Sequence, residues 1–281
     1  MLRIATFNIG LARLRAGGVP LVDAVAHAGR RLPRIVEALS ANAPGIDIWL
    51  IQEAYHHSVR AALGGVSGFR LHAAAERSAD TGLCVLVRRD WPSDGLAVVR
   101  FRALDWVETV VARKGAMRID VETPLGPARV GNLHASYDGR GREGIRRKAP
   151  GLRAEEVGQA LDLLESSGGG LKLLGGDFNL SLASEPAGHG VATARGWRDL
   201  RETADAHDDA GVRTWSLDNP IAVSAPGGPA HDIDLIFMKD AAPSLRVETA
   251  HILTEPAVPL PSGRHVPLSD HYALMATLIP A

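Results

Sequence analysis

The chain has 281 residues, of which 46% are hydrophobic and 22% are charged, and its formal net charge at pH 7 is −1. This length and apolar content are enough to bury one sizeable core, and the chain lacks the overall basic excess typical of many nucleic-acid-binding proteins. A single cysteine, Cys84, excludes an intrachain disulfide and therefore a disulfide-stapled secreted fold.

Short apolar runs bounded by turn residues predict a chain rich in β-strands. Helical spacing of apolar residues predicts helices at 19–43, 57–63 and 154–165. Many strands with few helices indicate an α+β fold in which sheets pack face to face with helices outside. The predicted strands, in chain order, are 2–7, 46–51, 82–87, 107–112, 129–133, 171–174, 234–238 and 272–278.

The Gly/Pro-rich stretches 166–170 and 224–231 each lie between apolar runs, so we interpret them as loops within one domain, residues 1–281. The N-terminal residues do not resemble a signal peptide, and no apolar run approaches the roughly 20 residues that span a bilayer. We therefore expect a cytoplasmic protein.

Polar residues stand at the tips of six predicted strands. Each one alone is most often a turn former, a solvated residue or a satisfied structural side chain. If the last two of these strands run antiparallel to the first four, all six tips meet at one edge of the sandwich. The pattern then predicts a single cluster of amides, carboxylates and imidazoles. These residues are Asn8, Glu53, His134, Asp177, Asn179, Asp232, Asp234, Asp270 and His271.

Two pairs within this set can share one site only if the backbone takes a particular conformation. Asp177 and Asn179 are two residues apart, so an extended chain would project both from one face. Asp270 and His271 are adjacent and can share a site only if the chain turns there. Ser269 and Pro267 precede them and favour such a turn.

Six short motifs resemble those of the endonuclease/exonuclease/phosphatase superfamily, which includes pancreatic-type deoxyribonuclease, exonuclease III, neutral sphingomyelinases and inositol-polyphosphate 5-phosphatases. They follow the family's order, cover nearly the whole chain, and are most specific in GDFN and SDH. The resemblance implies a four-layered α/β sandwich with two packed, mostly antiparallel sheets flanked by helices. The motifs are TFN (6–8), QE (52–53), NLH (132–134), GDFN (176–179), IDLIF (233–237) and SDH (269–271).

The resemblance implies a metal site. Glu53 would be the chief ligand, and Asn8 and Asp270 would help to hold or orient the metal. Such an oxygen-rich set suits Mg²⁺, with Mn²⁺ as a substitute, whereas several histidines would favour zinc. A divalent cation there would neutralise charge on the oxygens of a phosphate ester.

The resemblance also implies a catalytic group. His134 and His271 would contact the scissile phosphate, while Asp177 and Asn179 would place the attacking water and the phosphate. Asp234 would hydrogen-bond His271 and set its orientation. Either Asp177 or His271 could serve as the general base, and the sequence leaves both open.

One position departs from the family pattern. Members often have Arg two residues before the Asp that begins the IDLIF strand, and this chain has Asp232 there. A second carboxylate at this position would either alter the preference for substrate or metal, or face solvent.

A basic segment, 139–153, follows the NLH motif, and its residues either form a solvated loop and helix start or bind anions. The anion would be a nucleic-acid backbone, a phosphoinositide or an acidic membrane surface. Within it we predict substrate contacts at Arg146, Arg147 and Lys148, and we add Trp215 as an aromatic side chain that grips the substrate. The basic residues are Arg140, Arg142, Arg146, Arg147, Lys148 and Arg153.

Three functional hypotheses remain. The segments ARKGAM (112–117) and TWSLDNP (214–220) resemble those of sphingomyelinase-like members, which favours a phosphodiesterase acting on a lipid or small-molecule phosphodiester. A nuclease cleaving DNA or RNA is the first alternative. A catalytically inactive binding module is the second, although inactive members usually lose a ligand and every expected one is present. A membrane surface would be a peripheral partner only, and no protein partner is implied.

Overall fold

The computed structural model describes residues 1–16, 19–23, 25–74, 80–102, 113–137, 149–166, 170–180, 185–208, 211–216, 218–222, 231–239 and 244–281. Two large sheets form the centre of this structure, and helices lie on their outer faces. No helix of these residues is both long and apolar enough to cross a membrane.

The first sheet contains β1, the N-terminal strand, beside the C-terminal strand β17. Its strands, in spatial order, are β12 (Ala206–His207), β14 (Leu245–Ile252), β17 (Ala273–Pro280), β1 (Leu2–Asn8), β4 (Ile48–Gln52), β6 (Cys84–Arg88) and β5 (Phe69–Ala73). Within it β1 runs parallel to β4 and antiparallel to β17.

The second sheet carries the other strand ends that the sequence singles out. Its strands, in spatial order, are β11 (Arg198–Asp199), β13 (Asp234–Lys239), β10 (Leu171–Asp177), β9 (Gly126–His134), β8 (Gly115–Thr123) and β7 (Ser93–Arg100). Here β10 runs parallel to β9 and antiparallel to β13. Two small hairpins pair β2 (Arg13–Ala16) with β3 (Val19–Asp23) and β15 (Val258–Pro259) with β16 (His265–Val266).

The helices are α1 (Ala28–Ala41), α2 (His57–Leu63), α3 (Ala149–Glu165) and α4 (Pro186–Ala194), with a 3₁₀ turn at Ala43–Gly45. Strand side chains alternate between two apolar layers, because each sheet is buried on both faces. In β4, for example, Ile48 and Leu50 face the second sheet, whereas Trp49 and Ile51 join the core under α1 and α2. A third apolar layer lies between the second sheet and α3 and α4.

This arrangement confirms the predicted four-layered sandwich. It also confirms the expected strand directions, since β13 and β17 run antiparallel to the strands that end in the QE, NLH, GDFN and TFN motifs. Asn8 therefore stands opposite Gln52, while Asp177 stands opposite both His134 and Asp234.

The helix predicted at 19–43 is wrong over its first part. Residues 19–23 pair as β3 with β2, and the helix begins only at Ala28, after His27 adopts a left-handed φ of 60°. Pro20 lacks an amide donor and is disfavoured in a helix interior, whereas it is tolerated at a strand irregularity such as the one between Leu14 and Arg15.

The other predicted elements have mixed outcomes. The helix at 57–63 is confirmed, and the one predicted from 154 begins earlier, at Ala149. The predicted strand 107–112 lies outside the described residues. The sequence does not predict strands β5, β7, β8 and β14, because polar residues interrupt their apolar runs.

A buried polar bridge joins the two sheets beneath the strand ends. Gln52 Nε2 donates to Asn132 Oδ1 at 2.7 Å and to Thr6 Oγ1 at 3.1 Å. Asn132 Nδ2 donates in turn to the backbone oxygens of Ile51 and Cys84, each at 2.9 Å. The bridge lies in the core, where unmade hydrogen bonds are costly, and so it fixes one sheet against the other.

Replacing Asn132 tests this bridge. Asn132→Ala leaves the Gln52 amide and two buried carbonyls without these partners, and we expect the free energy of unfolding in urea to fall by about 2–4 kcal/mol. Asn42→Ala serves as the control, since the partly buried Asn42 donates only locally, to Ala38 O at 2.8 Å, and should lose less than about 1 kcal/mol. Equal losses in the two variants would contradict a special role for the bridge.

Candidate active site

Asn8 connects carboxylates from the two sheets. Its Nδ2 donates to Asp177 Oδ2 at 2.9 Å and to Glu53 Oε1 at 3.5 Å. Its Oδ1 accepts from the Gly10 amide at 3.0 Å. The Asn8 side chain therefore orients Glu53 and Asp177 through its amide nitrogen.

Glu53 follows β4 in an uncommon backbone conformation. Its φ is 64°, in the left-handed region that costs a residue with a side chain of order 1–3 kcal/mol and that clusters at functional sites. Glu53 Oε2 accepts from the Ala12 amide at 3.1 Å, and the next amide, of Ala54, donates to Gly82 O at 2.8 Å. Contacts on both sides of the residue thus hold the conformation.

His134 and Asp177 lie side by side at the ends of β9 and β10. His134 Nε2 is 3.3 Å from Asp177 Oδ2, and the same nitrogen contacts Nζ of the buried Lys114. Burial lowers the pKa of His134, and the charge of Lys114 lowers it further against the opposing effect of Asp177. Burial acts to raise the pKa of Asp177, but His134, His271 and Lys114 outweigh it and hold that pKa below its usual range.

The expected extended chain from Asp177 to Asn179 is wrong. Asn179 has a φ of 51°, and its amide donates to Asp177 Oδ1 at 2.9 Å, which closes a turn through the Asp side chain. Asn179 Nδ2 also donates to Ala135 O at 2.9 Å, directly after His134. The turn keeps Asn179 in the cluster by a different route from the one predicted.

Asp234 and His271 form a buried pair. His271 Nδ1 lies 2.8 Å from Asp234 Oδ2, and its Nε2 lies 3.9 Å from Asp177 Oδ2. Burial acts to lower the pKa of His271, but Asp234, Asp177 and Asp270 raise it to about 10. Burial raises the pKa of Asp234 to about 6, although the charge of His271 opposes the shift.

Asp270 lies in the turn that precedes β17, as the sequence requires. Ser269 Oγ is 3.1 Å from Asp270 Oδ1 and donates to Asn8 O at 2.7 Å, which ties the turn to the end of β1. Burial raises the pKa of Asp270, and the negative charge of Glu53 adds to the shift while His271 opposes it. The carboxylate of Glu53 therefore lies close enough to Asp270 for its negative charge to disfavour the ionised form of Asp270.

Two side chains that the sequence did not assign to the site shape it. One is Lys114, which the sequence marked only as part of a Lys-Gly segment. The other is the buried Arg31 of α1, which donates to Ile9 O at 2.9 Å and Leu268 O at 2.8 Å and also contacts Gly10 O. Arg31 thus pins together the two loops that flank Asn8 and Asp270.

Asp232 neither faces solvent nor leaves its oxygens open for a metal. Its Oδ2 lies 2.9 Å from Arg213 Nη1 and 3.1 Å from Arg201 Nε. Its Oδ1 accepts from the Thr214 amide at 3.1 Å and faces His251 Nε2 at 3.1 Å. The alternative of a solvent-facing carboxylate is therefore wrong.

The structure describes one of the predicted substrate contacts, Trp215, and not the three basic ones. Trp215 forms antiparallel bridges with His231 and His271, so its backbone borders the cluster. Arg146, Arg147 and Lys148 lie outside the described residues. Arg153 is buried, pairs with Glu185 through Nε at 2.9 Å, and donates to Ser136 O at 3.0 Å, so it does not belong to an exposed basic patch.

This chain is similar to a known protein family and to several solved structures. Residues 5–271 match the Endonuclease/Exonuclease/phosphatase family. No curated protein matches the chain. Sphingomyelinase C from Streptomyces griseocarneus has a similar structure, with a TM-score of 0.76, 20% identity and 99% of both chains covered.

Two further solved structures are similar. Beta toxin 275-280 from Staphylococcus aureus has a TM-score of 0.74 at 17% identity, with 99% of each chain covered. TDP2 from D. rerio, complexed with a single-strand DNA product, has a TM-score of 0.71 at 16% identity, with 99% of this chain and 98% of that chain covered. At these identities the likeness establishes the fold.

The pKa of His271 generates a prediction for stability. Because its folded value of about 10 exceeds its ordinary value of 6.5, the stabilisation it supplies is complete below pH 6.5 and is lost as the pH rises towards 10. In EDTA, the difference in free energy of unfolding between the natural protein and His271→Asn should shrink steadily from pH 6.5 to pH 10. Urea titrations measure it, and a difference that grew with pH would contradict the assignment.

Proposed function

Because this chain belongs to the endonuclease/exonuclease/phosphatase family, we propose that it is a divalent-metal-dependent phosphodiesterase whose substrate is a lipid or small-molecule phosphodiester. The observation that carries the proposal is the meeting of strand ends from both sheets in one buried cluster. Asn8 of the first sheet holds Asp177 of the second, and His271 joins them through Asp234.

The residues present fit a hard divalent cation. The carboxylates of Glu53 and Asp270 lie close enough for the charge of Glu53 to raise the pKa of Asp270, and a bound cation would offset that repulsion. We assign these two as ligands, with Asn8 orienting Glu53. Mg²⁺, or Mn²⁺ in its place, supplies charge neutralisation at the phosphoryl oxygens.

A second group of donors lies next to this one. Asp177, Asp234 and His271 each offer one donor atom, and these atoms all lie within 4.8 Å of one another. Two of them, however, already form the His271–Asp234 hydrogen bond, and a protonated His271 has no lone pair with which to bind a metal. We therefore assign this second group to proton transfer and phosphate binding.

Three basic side chains surround Asp177 Oδ2. His134 lies 3.3 Å and His271 3.9 Å from that oxygen, and Lys114 contacts His134. An anionic phosphate in this region meets donors that form charge-assisted hydrogen bonds. With a pKa of about 10, His271 stays protonated at neutral pH and donates to the phosphate.

The protonation states of His271 and Asp177 distinguish these two candidates for the general base. A protonated His271 has no lone pair on either nitrogen with which to accept a proton. Asp177 remains ionised, because its neighbours lower its pKa, and its carboxylate is oriented by Asn8 and by the Asn179 amide. We assign the general base to Asp177 and the phosphate-binding cation to His271.

The proposal of a lipid or small-molecule phosphodiester rests on Trp215, at the rim of the cluster. Trp215 pairs through its backbone with His271 and is partly exposed, which suits an aromatic contact to an organic substituent of the phosphodiester. The net charge of −1 offers no overall attraction to a polyanion. The similarity to a sphingomyelinase C is consistent with a lipid substrate.

A nuclease is the second candidate. The observation that favours it is the similarity to the TDP2 structure that holds a single-strand DNA product. The sequence-predicted contacts Arg146, Arg147 and Lys148 would then track a nucleic-acid backbone. An inactive binding module is disfavoured, because the predicted metal and catalytic side chains are present and lie together.

One experiment tests both the reaction and the substrate. Initial rates with Mg²⁺ are compared on sphingomyelin vesicles and on supercoiled plasmid, for the natural protein, Glu53→Gln and Glu37→Gln. Glu53→Gln should lower the rate at least about 100-fold, because it removes a charged ligand worth several kcal/mol. Glu37 is an exposed partner of Arg34 on α1, so its variant is the matched control and should keep the natural rate.

The outcomes separate the hypotheses. Headgroup release that needs Mg²⁺ and Glu53, with intact plasmid, supports the lipid phosphodiesterase. Plasmid nicking with no lipid turnover would replace it by the nuclease. Natural rates in a folded Glu53→Gln variant would refute the metal assignment.

A further inference from the structure

Thr214 lies between Asp234, which begins β13, and His271, which stands just before β17. Its Oγ1 accepts from the amides of Ile233 at 3.0 Å and Asp234 at 3.1 Å. Its backbone oxygen accepts from the Tyr272 amide, directly after His271, at 2.8 Å. The side chain of Thr214 is fully buried, so water does not replace these contacts.

The Thr214 amide is held in turn by Asp232. Asp232 Oδ1 accepts from it at 3.1 Å, while Oδ2 is held by Arg201 and Arg213. Burial acts to raise the pKa of Asp232, but His251, Arg201 and the Thr214 amide lower it to about 2. The carboxylate of Asp232 therefore stays ionised at neutral pH and keeps its hydrogen bond with the Thr214 amide.

A closed ring of polar contacts fixes Asp232 itself. His251 faces Asp232 through Nε2 at 3.1 Å and Asp208 through Nδ1 at 3.0 Å, and its side chain is buried. Arg201 closes the ring, since it contacts Asp232 through Nε at 3.1 Å and Asp208 through Nη1 at 3.3 Å. We call these residues, with Arg213, the Asp232 ring.

We propose that Thr214 is a positioning residue for the Asp234–His271 pair, and that the Asp232 ring holds Thr214 in place. A shift of Thr214 moves the amide of Asp234, hence its carboxylate and the imidazole bonded to it. An arginine at position 232 would offer no acceptor for the Thr214 amide. The arrangement therefore depends on the carboxylate that this chain places there.

The kinetic part of the test rests on the proposed function. Thr214→Val keeps the shape of the side chain but removes the acceptor for two buried amides. Because a displacement of about 1 Å in a catalytic group costs about 100-fold in rate, kcat should fall by about that factor with KM little changed. Thr214→Ser restores the oxygen and should recover most of the natural kcat.

Thr249→Val is the matched control. Thr249 is also a buried threonine, on β14, but its Oγ1 has no hydrogen-bond partner among the described residues, so the same substitution there should leave kcat unchanged. A second pair of variants probes the ring. Asp232→Asn keeps an oxygen for the Thr214 amide, whereas Asp232→Ala removes it, so the alanine variant should lose more of the rate.

A spectroscopic readout works whether or not the protein is an active phosphodiesterase. In protein labelled with ¹⁵N-histidine, the proton between His271 Nδ1 and Asp234 gives a downfield signal that reports the geometry of that hydrogen bond. The signal should shift or disappear in Thr214→Val and Asp232→Ala, and should stay in place in Thr249→Val and Thr214→Ser.

The results separate this inference from the proposed function. A natural protein inactive on every phosphodiester would refute the function, while the signal would still decide the role of Thr214. If a folded Thr214→Val keeps both the natural kcat and the natural signal, the positioning role is overturned. If Thr214→Val does not fold, Asp232→Ala decides, and an unchanged signal and rate in that variant overturn the proposal.

Discussion

The hydrogen bond from Asn8 to Asp177, 2.9 Å long, joins the two sheets at the point where their strand ends meet. It sets Asn8, Glu53 and the Asp270 turn of the first sheet against Asp177 and its neighbours on the second, and the His271–Asp234 hydrogen bond makes a further link between the same two groups. The Gln52–Asn132 bridge lies beneath this bond and fixes the distance between the sheets. The cluster of strand-end side chains is thus built at the interface between the two sheets, and its geometry depends on how the sheets are held together.

Charge explains why the cluster persists while buried. Isolated carboxylates in a core are costly, but here each has an opposite charge or a donor nearby. Asp177 is held ionised by His134, His271 and Lys114, and His271 is held protonated by the acids around it. For Asp270 the balance goes the other way, because burial and the charge of Glu53 raise its pKa and outweigh His271, Arg31 and the Ser269 hydroxyl. That imbalance of negative charge is what a bound divalent cation corrects, and it is the physical reason for assigning the metal to Glu53 and Asp270.

The sandwich and the strand tips could be predicted because they depend on local patterns, such as alternating burial in β4 and motifs that end or begin a strand. The contact of Lys114 with His134 could not, since it depends on the pairing of β8 with β9. Apolar spacing predicts a helix from residue 19, but it does not reveal that residues 19–23 pair with a neighbouring strand through the backbone. The environment of Asp232 could not be predicted from the sequence either. Its partners Arg201, Arg213 and His251 come from different elements and meet only in the folded protein.

Anomalous scattering from crystals grown with Mn²⁺ is the first measurement to make on the proposed metal site. We expect an anomalous peak at coordination distance from the carboxylates of Glu53 and Asp270, and its loss in crystals of Glu53→Gln. A peak bound instead by Asp177, Asp234 and His271, and retained in the Glu53→Gln crystals, would contradict the assignment of ligands and with it the division between metal binding and proton transfer.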